Sequence, residues 1–264
     1  MKSPMDKTTS LFLAISLVAA GEARAQAAPE VLRVEVGAKE VDGRVYKPHA
    51  AKVRIYVGDR PTGAEWTNVL EVGDSAGRTV HYWTTTGTSV LPAGGTITWR
   101  LEQTYDAITL QPYSIVRTAS NGMETRLKID GTRVTGTRRM SATAPVEQID
   151  YTIDRMGYVA SASDLVPAAV GFKEGLVISV PIWGPPMTAA EQRRFTVIGK
   201  VDVDVEGTKV NAWKVEEHRE SDNKLLATWY LLDKSPYMVY GEVPLPNGTV
   251  QRMTEVEVPL PAKQ

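Results

Sequence analysis

The chain has 264 residues, 30 basic against 31 acidic side chains, 42% hydrophobic residues and no cysteine. A formal charge of −1 provides neither the electrostatic footprint of a nucleic-acid binder nor a polybasic patch for anionic lipid. Without cysteine there is no disulfide framework and no lipid-modified cysteine, so a hydrophobic core must carry stability alone, which this length permits.

The first residues read as a removable address. Lys2 and Lys7 precede "LFLAISLVAA", Leu11 to Ala20, an apolar run of ten. That is short of the about 20 residues a bilayer-spanning helix needs. Ala23-Arg24-Ala25 and Ala25-Gln26-Ala27 follow as small-residue cleavage sites, which completes the anatomy of a secretory signal peptide over residues 1–25. The mature chain is expected to start at Gln26 or Ala28, in the periplasm or outside the cell. Cleavage after residue 25 removes three basic and two acidic side chains and leaves a charge of −2. No later stretch is apolar enough to span a membrane.

Period-two alternation dominates the rest. "VDVDVEG" sets Val201, Val203 and Val205 on one face and Asp202, Asp204 and Glu206 on the other, the pattern of a half-buried strand. "TRLKIDGTRVTGTRRM" and the closing "MTEVEVPL" alternate in the same way. Asp42-Gly43, Asn121-Gly122, Asp130-Gly131, Glu206-Gly207 and Asn247-Gly248 sit between such runs, where positive φ is needed for two-residue hairpins. "GDSAGR", Gly73 to Arg78, and "ESDNK", Glu220 to Lys224, read as longer hairpin loops. Sequential hairpins imply a meander.

Two segments have helical features. In "SASDLVPAAVGFKEG", Ser161 to Gly175, Ser163 is the expected N-cap and Gly171 or Gly175 the stop. "MTAAEQRRF", Met187 to Phe195, reads as a short polar turn. Between them "LVISVPIW", Leu176 to Trp183, is apolar on both faces and reads as a central strand, broken by Gly184-Pro185-Pro186. Residues 26–264 are expected to form an all-β antiparallel domain: a curved meander sheet, or half-barrel, with one short helical plug. A β appendage over residues 26–94 is the other organisation, with "LPAGG" near its boundary.

Gly73-Asp74-Ser75-Ala76-Gly77 matches the G-x-S-x-G nucleophile elbow. The elbow needs a strand-to-helix turn, yet the strand-like "RTVHYWTTT" follows. A Ser75–Asp150 or Asp202–His218 order is formally available, but a hairpin loop explains the glycines directly. His49, His81 and His218 are scattered, and no metal-ligand spacing is present. Asp202, Asp204 and Glu206 read as a solvated face, and Asp150 and Asp154 would lie ~13 Å apart along a strand, too far for paired acid–base work. Asn247-Gly248-Thr249 fits both a glycosylation acceptor and a hairpin turn.

The densest aromatic stretch is Leu225 to Val258. One face of its first strand carries Leu225, Ala227, Trp229 and Leu231, and Trp213 on the preceding strand is expected to pair across to Trp229. Core packing explains these residues first, and a concave apolar surface second.

"TLQP" (Thr109 to Pro112), "TRLKIDGTRVTG" (Thr125 to Gly136), the Asp164-Leu165-Val166 helix start, "LVISVPIW", "GTKVNAWKVEE" (Gly207 to Glu217) and "ATWYLLDKSPYMVYGEVPLPNG" (Ala227 to Gly248) occur in an order that resembles an exported bacterial family of unknown function. Its fold is similar to the half-barrel of periplasmic lipoprotein carriers and lipoprotein-sorting proteins. The resemblance spans about residues 95–258. It implies an apolar concave face closed by helices, and no catalytic residues. With one short helix, any lid on this chain is expected to be thin.

The expectation is a non-catalytic exported protein that takes lipid or another apolar ligand, or an envelope partner, with Trp213, Trp229 and Leu231 as candidate contacts. No cofactor, metal or nucleic acid is implied. A secreted serine hydrolase using Ser75 and a purely structural interaction module are the other readings.

Overall fold

The computed structural model describes residues 30–91 and 94–261, so the expected signal peptide lies outside the described residues. A short strand β1 (Val31–Arg33) is followed by a first meander: β2 (His49–Val57), β3 (Arg60–Ser75), β4 (Arg78–Val90), β5 (Thr96–Asp106), β6 (Pro112–Ala119), β7 (Glu124–Asp130), β8 (Arg133–Arg139) and β9 (Glu147–Thr152). The chain then turns inward through β10 (Tyr158–Val159), a single 3-10 turn and the helix α1 (Leu165–Val170). A second meander completes it: β11 (Val177–Trp183), β12 (Glu191–Val205), β13 (Thr208–Arg219), β14 (Leu225–Leu231), β15 (Met238–Pro244) and β16 (Val250–Val258).

All of these strands belong to one sheet. The two meanders are joined by β16 pairing antiparallel to β2, with Val258 opposite Ala50 and Gln251 opposite Val57. β1 and β10 both add to β11 in parallel, and β9 is the far edge. The sheet curls strongly without closing. Its ends approach where the Asp154 amide donates to the Thr188 carbonyl at 3.0 Å and the Asp154 carboxylate accepts from the Ala190 amide at 2.8 Å. Five register shifts sharpen the curl, for example between Val197 and Gly199, where Ile198 is thrown outward.

Local chemistry explains the hairpins. Ala76-Gly77 and Glu206-Gly207 both have positive φ at each turn residue and join strands with two-residue loops. Asp74 Oδ1 accepts from the Gly77 amide and Asp204 Oδ1 from the Gly207 amide, each fixing its turn. Between β7 and β8 the turn is Gly131-Thr132, one residue later than the Asp-Gly signal suggests. Asp42-Gly43 is not a hairpin. It opens a 3-10 turn, with Asp42 Oδ1 accepting from the Arg44 amide, because a Cβ at Gly43 would lie 2.7 Å from the Ala107 carbonyl oxygen.

Three further expectations need correction. Met187 to Phe195 is not a polar turn throughout: β12 begins at Glu191, since its pairing with β11 and β13 outweighs local propensity. β11 is buried along its whole length, as its composition suggests, yet lies towards one end of the sheet, where β1 and β10 cover its second edge. Ser163 does not cap the helix. It has helical geometry, and the capping position falls to Asp164, whose side chain makes no capping bond. Of "LPAGG", the described residues Leu91, Gly94 and Gly95 lie between β4 and β5, which pair from Val80–Asp106 to Val90–Thr96.

The core sits inside the curl. Leu165, Val166 and Ala169 of α1 share one buried cluster with Ile178, Val180, Trp183 and Phe195 and with Tyr105, Ile115 and Leu127, so the plug sits between the two meanders. Tyr46 anchors it by donating from its hydroxyl to the Leu165 carbonyl. Outside the sheet, Tyr230 and Tyr240 pack on a small cluster around Val205, Ala212 and Val239.

Candidate functional site

Beside the plug the concavity keeps open space. Sheet register builds its wall in two rows. Trp83, Gln103, Ile115, Leu127 and Ile149 align from β4 to β9, with Gly136 completing the row on β8. One step towards the rim run Thr85, Leu101, Arg117, Thr125 and Arg138. The inner row is thus largely apolar, and charge begins at the mouth. Val159 to Ser161 and Gly184 to Pro186 form the facing wall of this trough, whose volume is ≈ 450 Å³. Pockets that hold small molecules are typically about 300–1,000 Å³ and mostly apolar.

The trough continues into an inner chamber of ≈ 240 Å³, and the two share the side chains of Trp99, Leu101 and Ser161. Trp66, Trp83 and Trp229 also line the chamber, with Tyr237, Met238 and Met253. Trp66 and Trp99 sit on either side of Gly87, with ring centroids 6.0 Å apart. A Cβ on Gly87 would fall 2.7 Å from Trp66 Cβ and 2.8 Å from Trp99 Cζ2, so only glycine lets the two indoles meet there. A shallower depression on the rim, lined by Glu65, Arg100 and several threonines, extends outward from the same pair and holds no buried ionisable group.

Two carboxyl groups face the chamber. Glu255 on β16 is 4% exposed, and its Oε1 accepts from Asn68 Nδ2 at 3.1 Å. Asn68 Oδ1 in turn accepts from the Thr85 hydroxyl at 2.9 Å. Burial pushes the Glu255 carboxyl up to about 8, the Asn68 bond pulls against this, and the nearby Asp164 charge adds to it. Burial likewise pushes the half-buried Asp164 up to about 7, helped by the negative charge of Glu217. Glu217 itself, 2% exposed, is held by Arg193 at 2.6 Å and by the Trp229 indole N–H at 2.8 Å. It is a paired buried charge, whereas Asp164 and Glu255 have no cationic partner among the described residues.

Polar atoms also lack partners here. Gln103, 2% exposed, donates from Nε2 to Ser161 Oγ at 2.8 Å, but its buried Oε1 has no partner. The Tyr151 hydroxyl, at the trough wall, is also without one. Buried polar groups are normally satisfied, so both atoms ask for a ligand or water. No histidine lines either cavity. Burial holds His49 and His81 below the usual imidazole range, and each bonds a backbone carbonyl through one ring nitrogen. Among the described residues, no three His, Asp or Glu side chains gather within metal-binding reach. Neither cavity, among the described residues, sets a hydroxyl nucleophile beside a histidine.

No family model matches the sequence, and no curated protein matches it. Two solved structures are similar in fold. One, from Brucella abortus, is described as a beta-barrel-like protein of domain of unknown function DUF1849. It is 12% identical, the match covers 79% of this chain and 95% of that one, and the TM-score is 0.46. The other, a DUF1329 family protein from Desulfovibrio piger, is 10% identical over 81% of this chain and 86% of that one, with a TM-score of 0.29.

The candidate contacts named from the sequence separate. Trp229 lines the chamber. Trp213 does not: it stacks on Phe172 at 5.5 Å, under the Lys200 ammonium. Leu231 is 1% exposed in the core and lies directly opposite Trp213. Trp229 lies opposite Val215, so the two tryptophans are diagonal neighbours rather than a direct pair. Ser75 stands at the exposed end of β3, next to the Ala76-Gly77 turn, with no histidine bonded to it and no helix after it. Asp150 pairs with Arg133 on the surface.

Sequence reasoning missed Asn68, Gln103, Asp164 and Glu255. The alternation in "MTEVEVPL" suggests valines inward and glutamates outward, but the register is the reverse: Met253 and Glu255 face inward while Val256 is 41% exposed. Met253 was the available signal, because it shares a face with Glu255.

Proposed function

We propose that this is an exported binding protein that takes an apolar small molecule, such as a lipid chain, into the trough of its half-barrel. The observation that carries the reading is the concave cavity of ≈ 450 Å³ lined by Leu101, Ile115, Leu127 and Ile149, beside a second of ≈ 240 Å³ that shares three of its lining residues. A surface of this kind would otherwise be covered by packing, because leaving apolar area in water costs about 25 cal/mol per Å². Export rests on the anatomy of residues 1–25, and an intact mass from the native host tests it: a chain beginning at Gln26 or Ala28 supports export, and a full-length chain refutes it.

Binding is tested by uptake of an environment-sensitive apolar dye, with Leu127→Arg as the blocking variant. Leu127 is 4% exposed at the centre of the trough wall. Dye uptake by the wild type and its loss in a Leu127→Arg protein that still melts cooperatively support the reading. No uptake by the wild type overturns it. Native mass spectrometry of the protein from its own envelope then identifies the cargo.

A further inference from the structure

We propose that the inner chamber receives the ammonium group of a cationic amphiphile whose apolar tail lies in the trough. This rests on the trough being a binding site and adds the chemical class of what it binds.

The chamber's polar inventory is one-sided. Glu255 and Asp164 present carboxyl oxygens, and Gln103 Oε1 waits unpartnered at the junction where Ser161 joins chamber to trough. All three are acceptors once the acids ionise. No Lys, Arg or His lines the chamber. Arg117 and Arg138 line the trough, where Arg138 is bound to Glu147, and Arg193 behind Trp229 is bound to Glu217. Around the acceptors stand the indoles of Trp66, Trp83, Trp99 and Trp229. Indole faces attract ammonium groups, most strongly when both are desolvated. An anionic head would meet two carboxyl groups, and a bare hydrocarbon tail would leave them unpaired in an apolar box, so each is disfavoured. The chamber volume of ≈ 240 Å³ accommodates a head group, and the larger trough accommodates a tail.

The charged and titratable surroundings are compatible with this. Glu255 faces Asn68 from β3 and Asp164 from the segment before α1. Asp164 faces Glu217 from β13, whose charge Arg193 already answers, and the tyrosines Tyr46 and Tyr105, whose hydroxyls stay neutral because burial raises them. Tyr237, also at the chamber, is raised by burial and spends its hydroxyl on Val45 and Lys47 backbone groups. His49 stands edge-on behind Trp83 and burial keeps it neutral. An arriving cation therefore finds two acids that hold protons at low pH and, as pH rises, lose them to solvent and face it as carboxylates.

The experiment uses three probes with one tail: decyltrimethylammonium, decyl sulfate and 1-decanol, titrated below their aggregation limits and followed by tryptophan fluorescence. At pH 8 the cation is expected to bind about tenfold tighter than decanol, and decyl sulfate more weakly than decanol. Between pH 6 and pH 9 cation affinity should rise while decanol affinity stays level. In the Glu255→Gln/Asp164→Asn double variant the cation's advantage should vanish with decanol binding retained. Decanol binding with no preference for the cation at either pH, or a preference that survives in the double variant, overturns the inference and leaves the trough standing. Failure of all three probes to bind overturns both. The pH series on the wild type decides the matter even if the double variant does not fold.

Discussion

Replacing Glu255 by glutamine should abolish most of a pH dependence of stability that the wild type carries. The folded protein holds this carboxyl at about 8, against 4.5 for the same group exposed. Between those values the native state keeps a proton that the unfolded chain has released, so stability falls as pH rises through the window and levels off above it. His49 and His81 act in the opposite sense, because burial keeps them neutral, but in the unfolded chain they titrate at about 6.5 and their contribution is spent only about one pH unit above that. The clean window is therefore about pH 7.5 to 9. At about 1.4 kcal/mol per pH unit for a fully held proton, and with the carboxyl already partly ionised there, Glu255 removes about 0.8 kcal/mol across it, out of a total typically about 5–15 kcal/mol. Glutamine keeps the acceptor for Asn68 Nδ2 and cannot ionise. Urea unfolding followed by tryptophan emission, at half-unit steps from pH 6 to 9, gives both curves. The variant should lose less stability than the wild type across the window and be the more stable protein above pH 8, with Asp164 supplying the slope that remains. Parallel curves for the two proteins, or a wild type whose stability climbs from about pH 7.5 to 9, would refute the buried-acid account.

Trp229→Ala removes an indole from the chamber wall and the donor at 2.8 Å from Glu217, so a loss of about 3–5 kcal/mol is expected in thermal melts. A variant that melts like the wild type but no longer takes up an apolar dye would instead make Trp229 a ligand contact with little packing role. Gly87→Val drives a side chain between Trp66 and Trp99, and overpacking of about 1–3 kcal/mol should appear in unfolding together with a changed tryptophan spectrum. Ser75→Ala, at an exposed hairpin end, should shift stability by less than about 0.5 kcal/mol, and a fluorophosphonate probe should label neither protein. Labelling of the wild type alone would restore the hydrolase reading.

Strands and turns were legible because their signals are local. Val201 to Val205 alternate with Asp202 and Asp204, and the structure keeps that alternation, with both aspartates exposed. Glu206-Gly207 carries its turn conformation in its own composition. The plug at Leu165 to Val170 was legible from its stop at Gly171, where φ is 94°. The site was not, because it is assembled by register between distant strands. Asn68 and Glu255 look like ordinary surface polar residues until the curl of the sheet brings β3 and β16 onto one wall. The sequence points to Ser163 rather than Asp164 as the cap, and only the three-dimensional packing shows the Asp164 carboxyl at the chamber, making no capping bond. Trp213 and Trp229 look equivalent in sequence and differ only in what the plug leaves uncovered.

The ladder between β2 and β16 joins residues about 200 positions apart. A chain emerging from the ribosome can form β2 to β9 as successive hairpins, each closing a short loop. The outer edge of β2, with Val53, Ile55 and Val57 beside it, stays without a partner until the last strand has been made. Long unpaired edges are templates for pairing with other chains. The molecule is thus most prone to aggregate when it is nearly complete, and a holding chaperone that grips β2 would do most for its yield at that moment.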